Sequence, residues 1–168
     1  YFDFVGQECR HVQSNVGLLD MSAFSKFSVK GAGAGEWLNS LVANNIPKGN
    51  GRVGLCHMLS MNGGVRAEFT IYKKGKDDYY LVSAGAMERH DGDYLFKNLP
   101  KDGSVQLQTI TTQRGVFVIA GPRSRELLQK LTDTDLSNDN FKWLTGQFIN
   151  VGFAQADALR VNFVGELG

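Results

Sequence analysis

Two carboxylates stand in settings where a carboxylate could do more than keep a surface wet. Glu68 lies in NGGVRAEFTIYK (residues 62–73), and Glu166 lies in VGELG (residues 164–168). Asn-Gly-Gly opens a tight turn, because glycine accepts φ > 0 without a Cβ clash. Residues 65–72 then alternate. Val65, Ala67, Phe69 and Ile71 point one way, and Arg66, Glu68, Thr70 and Tyr72 the other. Glu68 therefore belongs to the polar face of a half-buried strand. A carboxylate so placed accepts two hydrogen bonds, stabilises nearby positive charge and takes up protons. The ordinary alternative is plain solvation, and the twelve residues by themselves favour it.

Other chemistries find less support. The glycines at 31, 33 and 35 form GxGxG, not the GxGxxG of a dinucleotide fingerprint, and no acidic residue follows in a clear βαβ unit. That stretch reads as a loose lead into a helix. The chain contains no GxSxG elbow, P-loop or HExxH. His11, His57 and His90 are scattered, so the expectation is no metal. His57 alternates with Cys56 and Met58 and reads as a core or rim histidine. Cys9 and Cys56 form no metal-type spacing, and a reducing compartment is the default.

Bulk properties bound the rest. The 168 residues suffice for one domain or two small lobes. Apolar residues make up 42% and charged residues 21%, a soluble globular composition. A net charge of +1 gives no general attraction to nucleic acid or anionic membrane. No apolar run approaches the roughly 20 residues that span a bilayer, and no secretory signal is visible. The opening YFDF and closing VGELG suggest a piece of a longer protein, incomplete at both ends.

The elements that must position these groups read as follows. Residues 16–20 are a short apolar run ending in Asp20, and 22–31 a strand. A helix within 31–47 carries Trp37, Leu38, Leu41 and Val42 on one stripe and is closed by Pro47. Residues 53–60 and 65–73 form a hairpin, 79–85 a third strand, 87–100 a helix and 105–112 a strand. Residues 115–121 read as a continuous buried strand. The helix over 121–132 has Pro122 at its first position and Leu127, Leu128 and Leu131 on one face. Arg123 and Arg125 near its start oppose the helix dipole. Residues 141–144 read as a helical turn, and 147–152 and 157–165 as strands. Hairpins with packed helices make the class α+β, with a possible inner lobe over 50–112.

Four segments follow one another in a telling order. They are GLLDMSAFSKFSVKG (17–31), ANNIPKGNGRVGLCHMLSMNGGVRAEFTI (43–71), IAGPRSRELLQKLTDTDLSNDNFKWL (119–144) and ALRVNFVGELG (158–168). In this order the chain resembles the folate-binding T-protein (aminomethyltransferase) superfamily over nearly its whole length. It is most similar to the C-terminal folate-binding region of dimethylglycine dehydrogenases. HML at 57–59, AEFT at 67–70, LQKLTxxDLSxDxFKxL at 128–144 and GELG at 165–168 carry that similarity.

The resemblance implies a T-protein-like folate-binding fold, truncated before its last subdomain. It implies tetrahydrofolate as the bound cofactor. Glu68 takes the place of the acidic residue facing N5 and N10, in GGVRAE where the aminomethyltransferases carry Asp. Glu166 would grip the pyrimidine end of the pterin, and Phe24, Leu55, Tyr80 and Val82 would line its wall. A family asparagine near Ala84 is missing here. The implied activity is capture of a one-carbon unit from an oxidised N-methyl amine as 5,10-methylenetetrahydrofolate. FAD would sit on a separate N-terminal flavin domain that handles the amine, and the isolated chain would be inactive. Alternatives are a glycine cleavage aminomethyltransferase and a non-catalytic folate-binding module. The iron–sulfur maintenance branch carries K-G-C-Y-x-G-Q-E, whereas RVNFVGELG has no cysteine there. The expected partners are small molecules, with no nucleic acid or membrane. The expected location is cytoplasmic, or the mitochondrial matrix in a eukaryote. Glu166 is expected on a terminal strand with no later element to pin it.

Overall fold

The computed structural model describes residues 2–162 and 165–168. In chain order the elements are α1 (Phe2–Ser14), β1 (Gly17–Asp20), β2 (Ser25–Lys30), α2 (Ala34–Leu41), β3 (Val53–Leu59), β4 (Val65–Gly75), β5 (Asp78–Ser83), α3 (Glu88–Lys97), β6 (Gln106–Thr109), β7 (Phe117–Ala120), α4 (Ser124–Gln129), β8 (Thr145–Val151) and β9 (Ala154–Arg160). The described strand pairings are all antiparallel, and the class is α+β as expected. The chain divides into two compact units. One is Ser22–Gly115, and the other joins the flanking stretches, ending at Met21 and resuming at Val116.

The unit Ser22–Gly115 is built on a five-stranded sheet of order β3-β4-β5-β2-β6. One face carries Cys56, Met58, Phe69, Ile71, Leu81, Phe27 and Val29, all with no measurable exposure. Trp37 and Leu38 of α2 and Leu95 of α3 pack into the same cluster. Phe27 and Phe69 meet edge to face at 6.1 Å, the arrangement ring quadrupoles favour. Burial of the Cys56 thiol raises its pKa above the ordinary value.

The helix expected within 31–47 stops at Leu41, well before Pro47. The chain is needed elsewhere: Ala43 and Asn44 run beside β3, where the Ala43 N–H donates to the His57 carbonyl. The glycines of GAGAG serve close packing. A Cβ on Gly31 would lie 2.3 Å from the Ser104 carbonyl oxygen, and one on Gly33 2.6 Å from Ser104 Oγ. Gly31 also has φ +118°.

In the other unit, among the described residues, β1 pairs only with β7, and β8 with β9. Residues 115–121 are therefore not a buried strand: Phe117 is 63% exposed in a two-stranded ribbon. The helix over 121–132 shrinks to Ser124–Gln129, and Leu127 and Leu131 of its expected apolar face are exposed. Its opposed dipole is offset within its first turn. Arg123 makes a two-pronged pair with Glu126, at 2.9 and 3.1 Å. Arg123 first, and Lys130 after it, hold Glu126 down to a pKa of about 2. Residues 141–144 form a turn with Leu144 at φ 54°, not a helical one. The strand expected over 157–165 is described as far as Arg160 in β9. Phe163 and Val164 lie outside the described residues, as does Tyr1. Helix α1 had no counterpart in the sequence reading, and none of its residues is buried.

Gly31→Ala should lower the unfolding free energy by at least ~1–3 kcal/mol, the usual cost of a strained backbone position. Gly75→Ala, with nothing within 4 Å of its Cβ, should change it by less than about 0.5 kcal/mol. Denaturant titration of both variants checks the contrast, and equal midpoints would contradict the packing at Ser104.

Candidate functional site: a carboxylate on the open face of the sheet

Residues paired across an antiparallel ladder share a face, so register decides what Glu68 meets. Leu59 pairs with Val65, yet Met58 pairs with Ala67. Arg66 is the extra residue of a β-bulge between them. Counting on from Leu59–Val65 without the bulge would set Cys56 opposite Glu68. The bulge shifts the count by one, and His57 arrives instead. Its Nε2 lies 2.8 Å from Glu68 Oε2, with the two side chains 37% and 57% exposed. Among the described residues His57 is the partner of Glu68.

The bulge also corrects the simple alternation. Arg66 does not stand beside Glu68; its guanidinium carbon lies 4.4 Å from the ring centre of Tyr94, a side chain packed against the core cluster. Val65 is 67% exposed, not buried, while Tyr72 on the nominally polar face is 3% exposed. From Ala67 to Ile71 the alternation holds.

Three of the residues expected to line a wall, Leu55, Tyr80 and Val82, share Glu68's face. Leu55, Thr70, Val82 and Lys26 form one row across four strands, and Tyr72, Tyr80 and Ser28 form the next. Leu55 is half exposed, and Tyr80 and Val82 are partly buried. Phe24 sits in the bend just before β2 and is also partly buried. The bend is tied by Lys26, a fully buried lysine whose Nζ donates to the Ser22 and Phe24 carbonyls at 2.7 and 2.6 Å. Sequence reasoning missed Lys26 and gave His57 no chemistry. For His57 the signal was present, since a hairpin of known register names the partner of Glu68; the bulge that sets the register was not.

Glu166 belongs to the other unit. It lines a cleft of about 240 Å³ with Trp143, Arg160 and Asn162. Arg160 donates to the Phe141 carbonyl and to Asn138 Oδ1, the latter at 2.8 Å. Trp143 Nε1 donates to Asn162 Oδ1 at 3.3 Å. Glu166 is not on a strand as expected, and the neighbouring backbone is pinned by earlier residues. The Leu167 carbonyl accepts from the Gly121 N–H at 2.9 Å and from Ser124 Oγ at 3.0 Å. Among the described residues no group of three His, Cys, Asp or Glu side chains is arranged to hold a metal, and no helix is long and apolar enough to cross a membrane.

The family profile described as the GCVT N-terminal domain matches residues 1–168. The chain belongs to that family. Mitochondrial dimethylglycine dehydrogenase of Mus musculus is 38% identical over the whole of this chain, which spans 19% of that protein. An aminomethyltransferase of Geobacillus thermodenitrificans is 34% identical over 81% of this chain and 37% of its own length. The glycine cleavage system aminomethyltransferase T of Bartonella henselae superposes with a TM-score of 0.79 at 18% identity, over 96% of this chain and 42% of that one. At that identity the likeness is one of fold. The T-protein-like fold anticipated from the segment order is thus the fold of this GCVT N-terminal domain.

The His57–Glu68 pair lies in the open, where such pairs contribute about 0–1 kcal/mol. Glu68→Gln in the GCVT N-terminal domain should therefore move the unfolding free energy by less than about 1 kcal/mol. Thermal or denaturant melts check this; a larger loss would mean that the carboxylate holds the hairpin together.

Proposed function

We propose that this domain binds tetrahydrofolate and that Glu68 serves transfer of a one-carbon unit from an oxidised N-methyl amine, leaving 5,10-methylenetetrahydrofolate. The single observation that carries the reading is an exposed carboxylate sharing one sheet face with Leu55, Tyr80 and Val82. A flat ring with amine nitrogens on one edge calls for apolar side chains beside a carboxylate, and these residues fit that demand. Tetrahydrofolate supplies two nitrogens between which a one-carbon unit is held. Glu68 stabilises the positive charge that develops there and accepts the proton lost on ring closure.

Glu166 is assigned the pyrimidine end of the pterin, where N3–H and the 2-amino group are adjacent donors matching two carboxylate oxygens. Its place in a cleft beside Trp143 supports this. Phe24 is assigned to the wall by its place in the family's segments. The similarity to dimethylglycine dehydrogenase over the whole chain supports a whole protein whose FAD lies on another domain, where the amine is oxidised. It likewise supports a mitochondrial matrix location in a eukaryote. The similarity to an aminomethyltransferase keeps a glycine cleavage role as the second reading.

Glu68→Gln in the natural full-length protein should reduce methylenetetrahydrofolate formation by about 10²–10³-fold and leave flavin reduction by the amine largely intact. Stopped-flow absorbance and product yield, measured separately, test this; an unchanged yield would remove Glu68 from the reaction. Glu166→Gln should weaken 5-formyltetrahydrofolate binding roughly 10- to 100-fold, the loss of a charge-assisted hydrogen bond at ~1.5–3 kcal/mol. Calorimetric titration reads it, and wild-type affinity in the variant would place the pterin elsewhere.

A further inference from the structure

The contact between His57 Nε2 and Glu68 Oε2 occupies one of the two carboxylate oxygens. An ionised carboxylate only accepts, so a neutral His57 must carry its proton on Nε2 in this contact. Oε1 is then the oxygen left to face a ligand. Two further features make the arrangement look built. The bulge that admits His57 also withdraws Arg66 to Tyr94, removing the cation that alternation would place beside Glu68. The backbone of His57 is held from the side away from β4 as well. Asn44 Oδ1 accepts from the His57 N–H at 3.2 Å, Asn44 Nδ2 donates to the Leu55 carbonyl at 2.9 Å, and the Ala43 N–H donates to the His57 carbonyl at 2.8 Å.

We propose that His57 is a positioning residue for Glu68: its Nε2–H fixes Oε2 and so directs Oε1 at the one-carbon acceptor. The inference rests on the folate reading above and assigns that site its orienting group. A glutamate on an exposed strand face has several rotamers of similar energy, and misplacing a reacting group by about 1 Å costs up to roughly 10²-fold in rate. His57 selects one of those rotamers, and the Asn44 contacts hold His57 in turn.

The test uses the natural full-length protein. His57→Leu should lower the turnover number for methylene transfer by roughly 10- to 100-fold while the affinity for 5-formyltetrahydrofolate stays at the wild-type value. His57→Gln, whose amide N–H replaces Nε2–H, should recover most of the rate. Nitrogen-15 NMR of histidine-labelled protein at alkaline pH should find the His57 proton on Nε2. A wild-type rate in His57→Leu, no recovery in His57→Gln, or a proton on Nδ1 would each overturn the positioning role while folate binding stood. Failure of the wild-type protein to bind 5-formyltetrahydrofolate would overturn the folate reading, and the role of His57 with it.

Discussion

The register between β3 and β4 is the constraint on which the site-bearing unit depends. Cys56, Met58, Phe69 and Ile71 must all face the helices, and each apolar side chain of this size contributes about 1.5–3 kcal/mol by leaving water. Because side chains alternate with period two, a slip of one residue would turn Phe69 and Ile71 outward and drive Glu68 into the core. An ionised carboxylate buried without a partner costs several kcal/mol on its own. The packing of one face therefore fixes the chemistry of the other. Glu68 is held open by what lies beneath its neighbours rather than by its own contacts.

Much of this was legible from the order of residues. The hairpin around Asn62-Gly63-Gly64, the alternation from Ala67 to Ile71 and the helix before Pro100 each follow from local periodicity and turn chemistry. Several of the features that escaped depend on contacts outside their own segment. The bulge at Arg66 answers to Tyr94 on α3. The early end of α2 answers to β3, because Asn44 bonds there instead of continuing a helix. Residues 115–121 read as buried because they are apolar, but burial needs a second layer, and among the described residues β7 pairs only with β1. Among the site residues, Glu68, Leu55, Tyr80 and Val82 share one face of the sheet. His57 was missed because a histidine between Cys56 and Met58 looks like part of a core until the register is known.

A TM-score of 0.79 at 18% identity shows how loosely this fold is tied to any one set of side chains. Folds of this kind carry several chemistries on one frame. Function on such a frame is set by side chains that share a face or a cleft within a single unit, and a relative 38% identical across the chain carries the same frame. Glu68 and Glu166 belong to different units, and each has its own local support. The ladder to β3 places Glu68, and the bonds to the Leu167 carbonyl hold the backbone beside Glu166.

The outer side of β3 has a consequence for the sheet itself. As the first strand of the order β3-β4-β5-β2-β6, it is an edge, and an edge with unpaired amides is a template for another chain. Ala43 and the Asn44 amide take up the Leu55 carbonyl and the N–H and carbonyl of His57, which a sixth strand would otherwise bond. A side-chain amide here imitates a neighbouring strand for the length of three residues and then stops. The same few atoms that brace His57 thus occupy three of the backbone groups that an added strand would use.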